Sequence, residues 1–585
     1  MANSFPLGID RAGAIARIDR YLMGNFGARR LQQSRPRFTD GWQIDAEIAG
    51  RRLQLDVEIP EEFPIKLPRI FVVDPPAFPT WPHVEADGRL CIVSAHERYD
   101  RTRPEEVMQT LIEGAFDILE QGITGTNVDD FRTEFLAYWN HAAPSVGNRS
   151  LMDPSGPSRP VRIWRGKTHR LIADSKGEVR KWLANRGKLT VADVMIEDAV
   201  LLWFDRPPLP AEYPKTAQDL FGLAASAEGG GVALLERMLR NAAGHSFSVF
   251  IGANAGNGIC FGEAELELRR VDRGPQRARA RLSGAASLDV RLAQWKLTRV
   301  TRRRVERVDP FWVHGRDLNA DLTTLRASRV AVIGCGSLGS QVARLLALAG
   351  VAELHLLDAE TLEWANVGRH ALGADWQGQN KAVALAKQLG REFPHSQFVG
   401  HASRWQDAPR ALDDCDLVVS TTGSLDEESG LAEWQQRHPG SVFVFGWTEP
   451  RASASQAGAI MPGAGCLLCG FDALGDPVFQ ATTWTSLPLQ REPACGAWFM
   501  PYGADEIMSA ALLVTDMALD VLTERARPGA HRVSSGRTAI LEAADGAWSD
   551  AWKAAAGEGD PGGRQLEAVW PPNIRCPVCG GKGAA

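Results

Sequence analysis

The sequence predicts a multidomain α/β protein: an α+β module at the N-terminus, a mixed α/β middle domain and an open parallel sheet at the C-terminus. Three observations carry that expectation. Residues 328–358 run strand, glycine loop, helix, strand; residues 42–59 alternate apolar with polar side chains; and two CxxC pairs stand in the C-terminal half. At 585 residues the chain exceeds one core. Three domains are expected, 1–143, 161–310 and 311–585, with 144–160 as a linker.

Val330–Ile333 is an apolar run of the kind a strand buried on both faces shows, and Gly334, Gly336 and Gly339 follow it in a GxGxxG pattern. Val342, Leu345, Leu346 and Ala349 then recur at helical spacing, Gly350 supplies a stop, and Leu354–Leu357 reads as the next strand, ending on Asp358. This is a Rossmann-like βαβ nucleotide site. Glycines admit a phosphate to the positive end of the helix, and a carboxylate at the second strand's tip can hold ribose hydroxyls. Taken alone, the pattern favours a dinucleotide and hence an NAD-dependent oxidoreductase. Asn366-Val367-Gly368-Arg369-His370 and Gly378-Gln379-Asn380-Lys381 shift the reading to a nucleoside triphosphate, because Arg369 and Lys381 can neutralise charge as pyrophosphate leaves. The alternative is that both cations are ordinary surface charges.

These motifs, GCGSLGS, LLD, NVGRH and GQNK, resemble the ThiF/MoeB superfamily, the adenylation domain of ubiquitin-activating enzymes, over roughly residues 317–580. The resemblance implies ATP and Mg2+ as cofactors, with Gly334, Gly336 and Gly339 lining the ATP site, Asp358 on the ribose, and Asn366, Arg369 and Lys381 on the phosphates. It also implies that Arg316 reaches an ATP site, in some members that of a partner subunit. One departure concerns the metal: the family's magnesium aspartate follows the strand matching Asp416–Val419, where this chain has Ser420-Thr421-Thr422-Gly423-Ser424, with Asp426 as a weak substitute.

A net charge of −6 argues against nucleic acid as the main partner. Apolar runs are short and the N-terminus lacks a basic region followed by an apolar core, so no membrane association and a cytoplasmic location are expected. Nine cysteines, four of them in CxxC pairs, suit a reducing compartment with a metal site. Cys466, Cys469, Cys576 and Cys579 are the expected ligands of a structural Zn2+, four thiolates leaving no open position for catalysis.

In the N-terminal module, Ala12–Tyr21 suits an amphipathic helix, and 42–48, 53–59 and 69–73 suit strands of an antiparallel meander. Asp87-Gly88 is a turn signal ahead of Cys91, placing that thiol near the surface. Helix, meander, proline-rich turn and this cysteine resemble the ubiquitin-conjugating fold over about residues 12–139. The resemblance implies that Cys91 is the acyl-carrying nucleophile and that His83 stands where the family has an oxyanion-stabilising asparagine. A buried structural cysteine is the bland alternative.

Pro, Ser and Gly dominate residues 144–160 and suggest a linker. In the middle domain, 199–204 reads as a strand and 232–239 as an amphipathic helix, while the arginine-rich stretch of 263–306 reads as a solvated sheet face in preference to a docking face for an acidic partner. Cys495, on a Pro/Gly-flanked segment beyond the first CxxC, is the candidate acyl-accepting cysteine by the activating-enzyme resemblance, against a passive core thiol.

A conjugating-type domain ahead of an activating-type domain resembles the fused ligase of CBASS antiphage operons. That family implies a homodimer that adenylates the C-terminus of a cGAS/DncV-like nucleotidyltransferase, passes it from Cys495 to Cys91 and joins it to a target amine. Related ubiquitin-like operons would activate a small ubiquitin-like protein instead. In the rival reading as a sulfur-carrier activator, Cys91 would be idle.

Overall fold

The computed structural model describes residues 10–92, 99–100, 102–141, 143, 147–186, 194–240, 246–268, 296–491, 498–570 and 572–580. They group into two compact units: Met1–Arg149 with Asp153–Ile172 and Glu197–Glu306, and Ser150–Met152 with Ala173–Ile196 and Arg307–Ala585.

The first unit begins with the helix Arg11–Phe26, capped by Asp10 at one end and by Gly27, in the left-handed region, at the other. Ile15, Ile18 and Leu22 form its buried stripe against a four-stranded antiparallel sheet, Arg29–Arg30, Phe38–Ile48, Arg51–Pro60 and Arg69–Val72. Ile48 pairs with Arg51, so Ala49 and Gly50, both at positive φ, make the two-residue turn that the strand twist favours. The meander is as expected, except that its outer face is not plainly solvated. Asp56 and Glu58 are buried there under Arg35, which pairs with both and lies over the Phe71 ring.

The rest of the unit is a closed seven-stranded barrel ordered Ile259–Glu267, Val300–Arg307, Asn148–Ser150, Arg170–Ala173, Arg159–Arg165, Ile196–Phe204, Ser246–Asn254. Two expectations change here. Within 144–160, Asn148–Ser150 and the start of Arg159–Arg165 are barrel strands rather than linker, with Asn148 and Ser150 buried. Arg303 does not face solvent: with Arg165 and Arg170 it is paired to Glu265, and Glu263 is fully buried beside Arg170, Ser248 and Asn148. Burial would raise Glu265, but Arg170, Arg303 and Arg165 together outweigh it and hold its carboxyl at about 2. The stretch Arg277–Leu282 lies outside the described residues.

The second unit is built on an eight-stranded sheet. Gln397–His401, Glu353–Leu357, Arg329–Ile333, Leu417–Ser420 and Phe443–Thr448 run parallel; Ala454–Ile460, Ala530–Ser535 and Gln565–Val569 continue it antiparallel. The helices Ser337–Ala349, Lys381–Glu392 and Ala504–Leu522 bury one face, and the four-cysteine region packs against the other. The strand order reverses between 329–333 and 417–420, and ligands of open α/β sheets bind at the carboxyl ends of such strands. The helix Lys176–Asn185 belongs to this unit rather than to the middle domain. Its Asn185 amide donates to the carbonyls of Pro394 (3.0 Å) and Ser396 (3.3 Å). Among the described residues no helix is long and apolar enough to cross a membrane.

Candidate functional site: a nucleotide cleft, an exposed thiol and a four-cysteine cluster

At the reversal point the chain leaves strand 329–333 through Gly334, at φ +81, and enters the helix at Ser337. A Cβ at Gly339 would fall 1.9 Å from the Gly334 carbonyl oxygen, so this close approach of helix to loop requires glycine. Two side chains fix the loop. Thr421 Oγ1 donates to the Gly334 carbonyl at 2.8 Å, and His370 Nε2 to the Cys335 carbonyl at 2.7 Å while Nδ1 accepts from Leu372 N–H. Burial pushes His370 down to about 4, so it stays neutral and serves as a strut.

Asp358 closes the cleft. Its Oδ2 accepts from Cys335 N–H and its Oδ1 from Glu360 N–H, each at 2.8 Å, and each oxygen keeps capacity for a further hydrogen bond. Burial raises its pKa, opposed by the Glu360 N–H and by Lys381. Asn380 caps the helix carrying Lys381 and donates to the Asp358 and Glu360 carbonyls at 2.8 and 3.1 Å; buried Lys381 pairs with exposed Glu360. Gly334, Gly336, Asp358 and Lys381 thus line one cavity of about 310 Å³, together with Glu360, Thr422, Ser424 and Glu427.

The other expected phosphate contacts lie apart from that lining. Asn366 accepts from Glu363 N–H at 3.2 Å within the short helix Trp364–Val367. Arg369 lies 5.0 Å from the Tyr502 ring centroid, and Tyr502 hydroxyl is 2.8 Å from Ser337 Oγ at the helix start. Arg316 is exposed, at φ +50. Asp426 is exposed and off the cavity, whose carboxylates are Asp358, Glu360 and Glu427. These oxygen donors fit a magnesium ion brought in on phosphates, which needs only one or two carboxylates. A larger cavity, about 390 Å³, between Arg451–Ser455 and Ser534–Arg537, shares no lining residue with the glycine loop.

Cys91 is held by the segment before it. Val72 N–H donates to the Gly88 carbonyl (2.8 Å) and Leu90 N–H to that of Ile70 (2.9 Å), so residues 88–90 lie along strand 69–72. Gly88, at φ +84, is required, since a Cβ there would sit 2.3 Å from the Val72 carbonyl oxygen. Trp81, Val84 and Leu90 anchor the turn in the core, and Gly122 on the helix Pro104–Thr124 makes room for Trp81. Cys91 N–H then donates to the His83 carbonyl at 2.9 Å, and the thiol is exposed. Partial burial of the sulfur, then the charge of Glu85, push it up to about 11, against Arg89.

His83 sits at φ +61 with its N–H bonded to Tyr138 hydroxyl at 3.0 Å. Its Nε2 is 3.0 Å from Asp130 Oδ2 and its Nδ1 3.4 Å from Glu134 Oε1. Carboxylates facing both nitrogens suit only the imidazolium. The hydrogen bond to Glu134 raises His83 above 6.5, outweighing burial, and lowers Glu134 in return. The pair therefore stabilises the fold between the carboxylate range and about pH 6.5, and loses that contribution as pH rises through the raised His83 value or falls through the lowered Glu134 value. In Glu134→Gln, NMR titration is expected to move the His83 pKa back down towards 6.5.

The thiols of Cys466, Cys469, Cys576 and Cys579 all lie within 4.8 Å of one another and are buried, a cluster consistent with a structural zinc site. Trp570 covers it, its indole N–H donating to the Leu467 carbonyl at 3.1 Å; Gly470 has no Cβ because the ring would meet it at 1.9 Å. Cys335 and Cys260 are buried, and Cys415 is pushed up to about 12 by burial, which suits none of them to nucleophilic work. Cys495 lies outside the described residues; the short strands Gln490–Arg491 and Trp498–Phe499, paired with each other, flank it in sequence. Tyr502, Thr421, Glu360 and Glu85 carry no motif signal, since only tertiary proximity brings them to their sites.

Residues 26–147 match the family model for prokaryotic E2 family B, and residues 315–481 that of the ThiF family. The chain is an enzyme in which an E2-like domain precedes a ThiF/MoeB-like domain, an architecture of ATP-dependent adenylation and thioester-type chemistry. Among relatives, the uncharacterized protein y4qC of Sinorhizobium fredii is 25% identical over 540 residues, 84% of this chain and 85% of its own. The ATP-dependent ubiquitin transferase-like protein Cap2 of Pseudomonas aeruginosa is 23% identical over 513 residues, 82% and 88% respectively. Cap2 of Enterobacter hormaechei is 30% identical over 184 residues, 28% of this chain and 30% of its own.

Proposed function

We infer that the chain uses ATP to adenylate the C-terminal carboxylate of a partner protein, takes the acyl group onto Cys495 as a thioester, passes it to Cys91 and delivers it to a target amine, in most targets a lysine. The observation that carries this reading is the pairing, in one chain, of a cleft lined by Asp358 and Lys381 with an exposed thiol on an E2-like scaffold. Attack of the carboxylate on the α-phosphate releases pyrophosphate. Lys381, swung from Glu360, and Arg369 would meet the charge of the departing group, and Asp358 would hold the ribose. Magnesium held by carboxylates of the cleft would neutralise the triphosphate. Zinc in the four-cysteine cluster is structural and takes no part. The names of the Cap2 relatives support ubiquitin-like transfer. The partner in this reading is a cGAS/DncV-like nucleotidyltransferase or a small ubiquitin-like protein, the setting antiphage defence and the assembly a homodimer to which exposed Arg316 contributes.

The test is ATP–pyrophosphate exchange with each of these two partners, intact or lacking its last residue. Exchange is expected only with an intact C-terminus, and Asp358→Ala lowers it by about 10²-fold. Absence of exchange with both intact partners, or tighter binding of NAD than of ATP, overturns the reading.

A further inference from the structure

We propose that Glu85 is the base that accepts the Cys91 thiol proton as the sulfur attacks the incoming thioester; this rests on the relay reading above. The turn that presents Cys91 also folds Glu85 back onto it. Glu85 N–H donates to the Arg89 carbonyl at 2.9 Å, Gly88 N–H to the Glu85 carbonyl at 3.0 Å, and Val84 bridges to Leu90, so positions 83 and 91, and 85 and 89, stand opposite each other. Across this turn the Cys91 thiol donates to Glu85 Oε1, with sulfur and oxygen 3.6 Å apart. Arg89 Nη2 lies 3.5 Å from the same oxygen and holds the carboxylate in place.

The neighbouring groups leave this role to Glu85. Both ring nitrogens of His83 are taken up by carboxylates, Nε2 by Asp130 and Nδ1 by Glu134, whereas the thiol's own hydrogen bond goes to Glu85. Glu134 acts on Cys91 only through its charge, and Tyr138 is held in hydrogen bonds to His83 N–H and Glu134. The resting thiol is protonated, so the proton must leave as the new bond forms. The step balances. The S–H bond breaks, its proton goes to Glu85, and sulfur bonds to the acyl carbon. The donor thiolate departs and is protonated in turn by Glu85.

The experiment uses the full chain with Cys495→Ala and, as acyl donor, a glycine-ending peptide mercaptoethanesulfonate thioester. Acyl-Cys91 is followed by intact mass, and iodoacetamide alkylation of Cys91 is measured separately. Glu85→Gln is expected to slow acylation by roughly 10²-fold. It is expected to speed alkylation at about pH 8, because removing a carboxylate lowers the thiol pKa. Glu85→Asp should recover part of the acylation rate. Acylation unchanged in Glu85→Gln overturns the proposal. So does a parallel fall in both rates, which would mark a displaced turn. If the parent protein takes no acyl group on Cys91 although iodoacetamide reaches it, the relay reading fails along with this inference; the first two outcomes leave that reading intact.

Discussion

Cys91→Ala is expected to leave ATP–pyrophosphate exchange at the wild-type rate while amide product falls by roughly 10³-fold or more, the scale on which deletion of a nucleophile acts. The asymmetry follows from where the sulfur sits. It projects from a turn pinned to strand 69–72 of the E2-like module and is not among the residues that line the cleft of Asp358 and Lys381, so adenylation is expected to proceed without it. Cys495→Ala should likewise spare exchange but remove the thiol-sensitive adduct from both cysteines, whereas Cys91→Ala accumulates the adduct on Cys495. Non-reducing gels of both variants, with and without thiol, read this out. Normal amide formation by Cys91→Ala would sink the relay.

Loss of zinc is the second large effect. Cys466→Ser leaves three buried thiols crowded within 4.8 Å of the vacated position, beneath Trp570. Metal held only by the folded state contributes its binding energy to folding. The substituted protein should retain well under one zinc per chain by elemental analysis. It should unfold about 10 °C lower, the shift that roughly 3–4 kcal/mol produces in a unit of this size. Exchange activity should fall in proportion to the unfolded fraction, with the ATP KM of the remainder unchanged. A full zinc complement in Cys466→Ser, or unaltered melting, would overturn the assignment. Because Cys466 lies on the segment that leaves strand 454–460, the expected damage is to the sheet that carries the glycine loop.

The parallel strands, the glycine loop, Asp358 and the paired cysteines were legible because each is a local pattern. A buried strand reads as a continuous apolar run, and a phosphate loop needs glycine at fixed offsets. The meander was legible for the same reason, through alternation at 42–59. The barrel was not. Its inward positions include Glu263, Glu265, Arg165, Arg170 and Arg303, whose mutual pairing replaces the apolar face that a pattern search expects. Proline and glycine at 144–160 likewise concealed two strands, since short barrel strands tolerate residues that long ones exclude. At the E2-like site, the sequence pointed to Cys91 and His83, but nothing local links either to Glu85 or Glu134. Those partners come from a turn folding back and from the junction between the helices Asp130–Thr133 and Phe135–Asn140.

Trp139 ties the E2-like module to the barrel. It is fully buried on the helix Phe135–Asn140, its indole N–H reaches the Arg303 carbonyl at 3.1 Å, and Gly262 lacks the Cβ that would strike the ring at 2.6 Å. Phe135 stacks on it at 5.2 Å, so the helix that closes the E2-like fold is a plug in the barrel wall. The thiol-bearing module is thus no loose arm on a tether. A cut near residue 143 would strip hydrophobic cladding from both pieces, since the E2-like module and the barrel strands it covers fall in one compact unit.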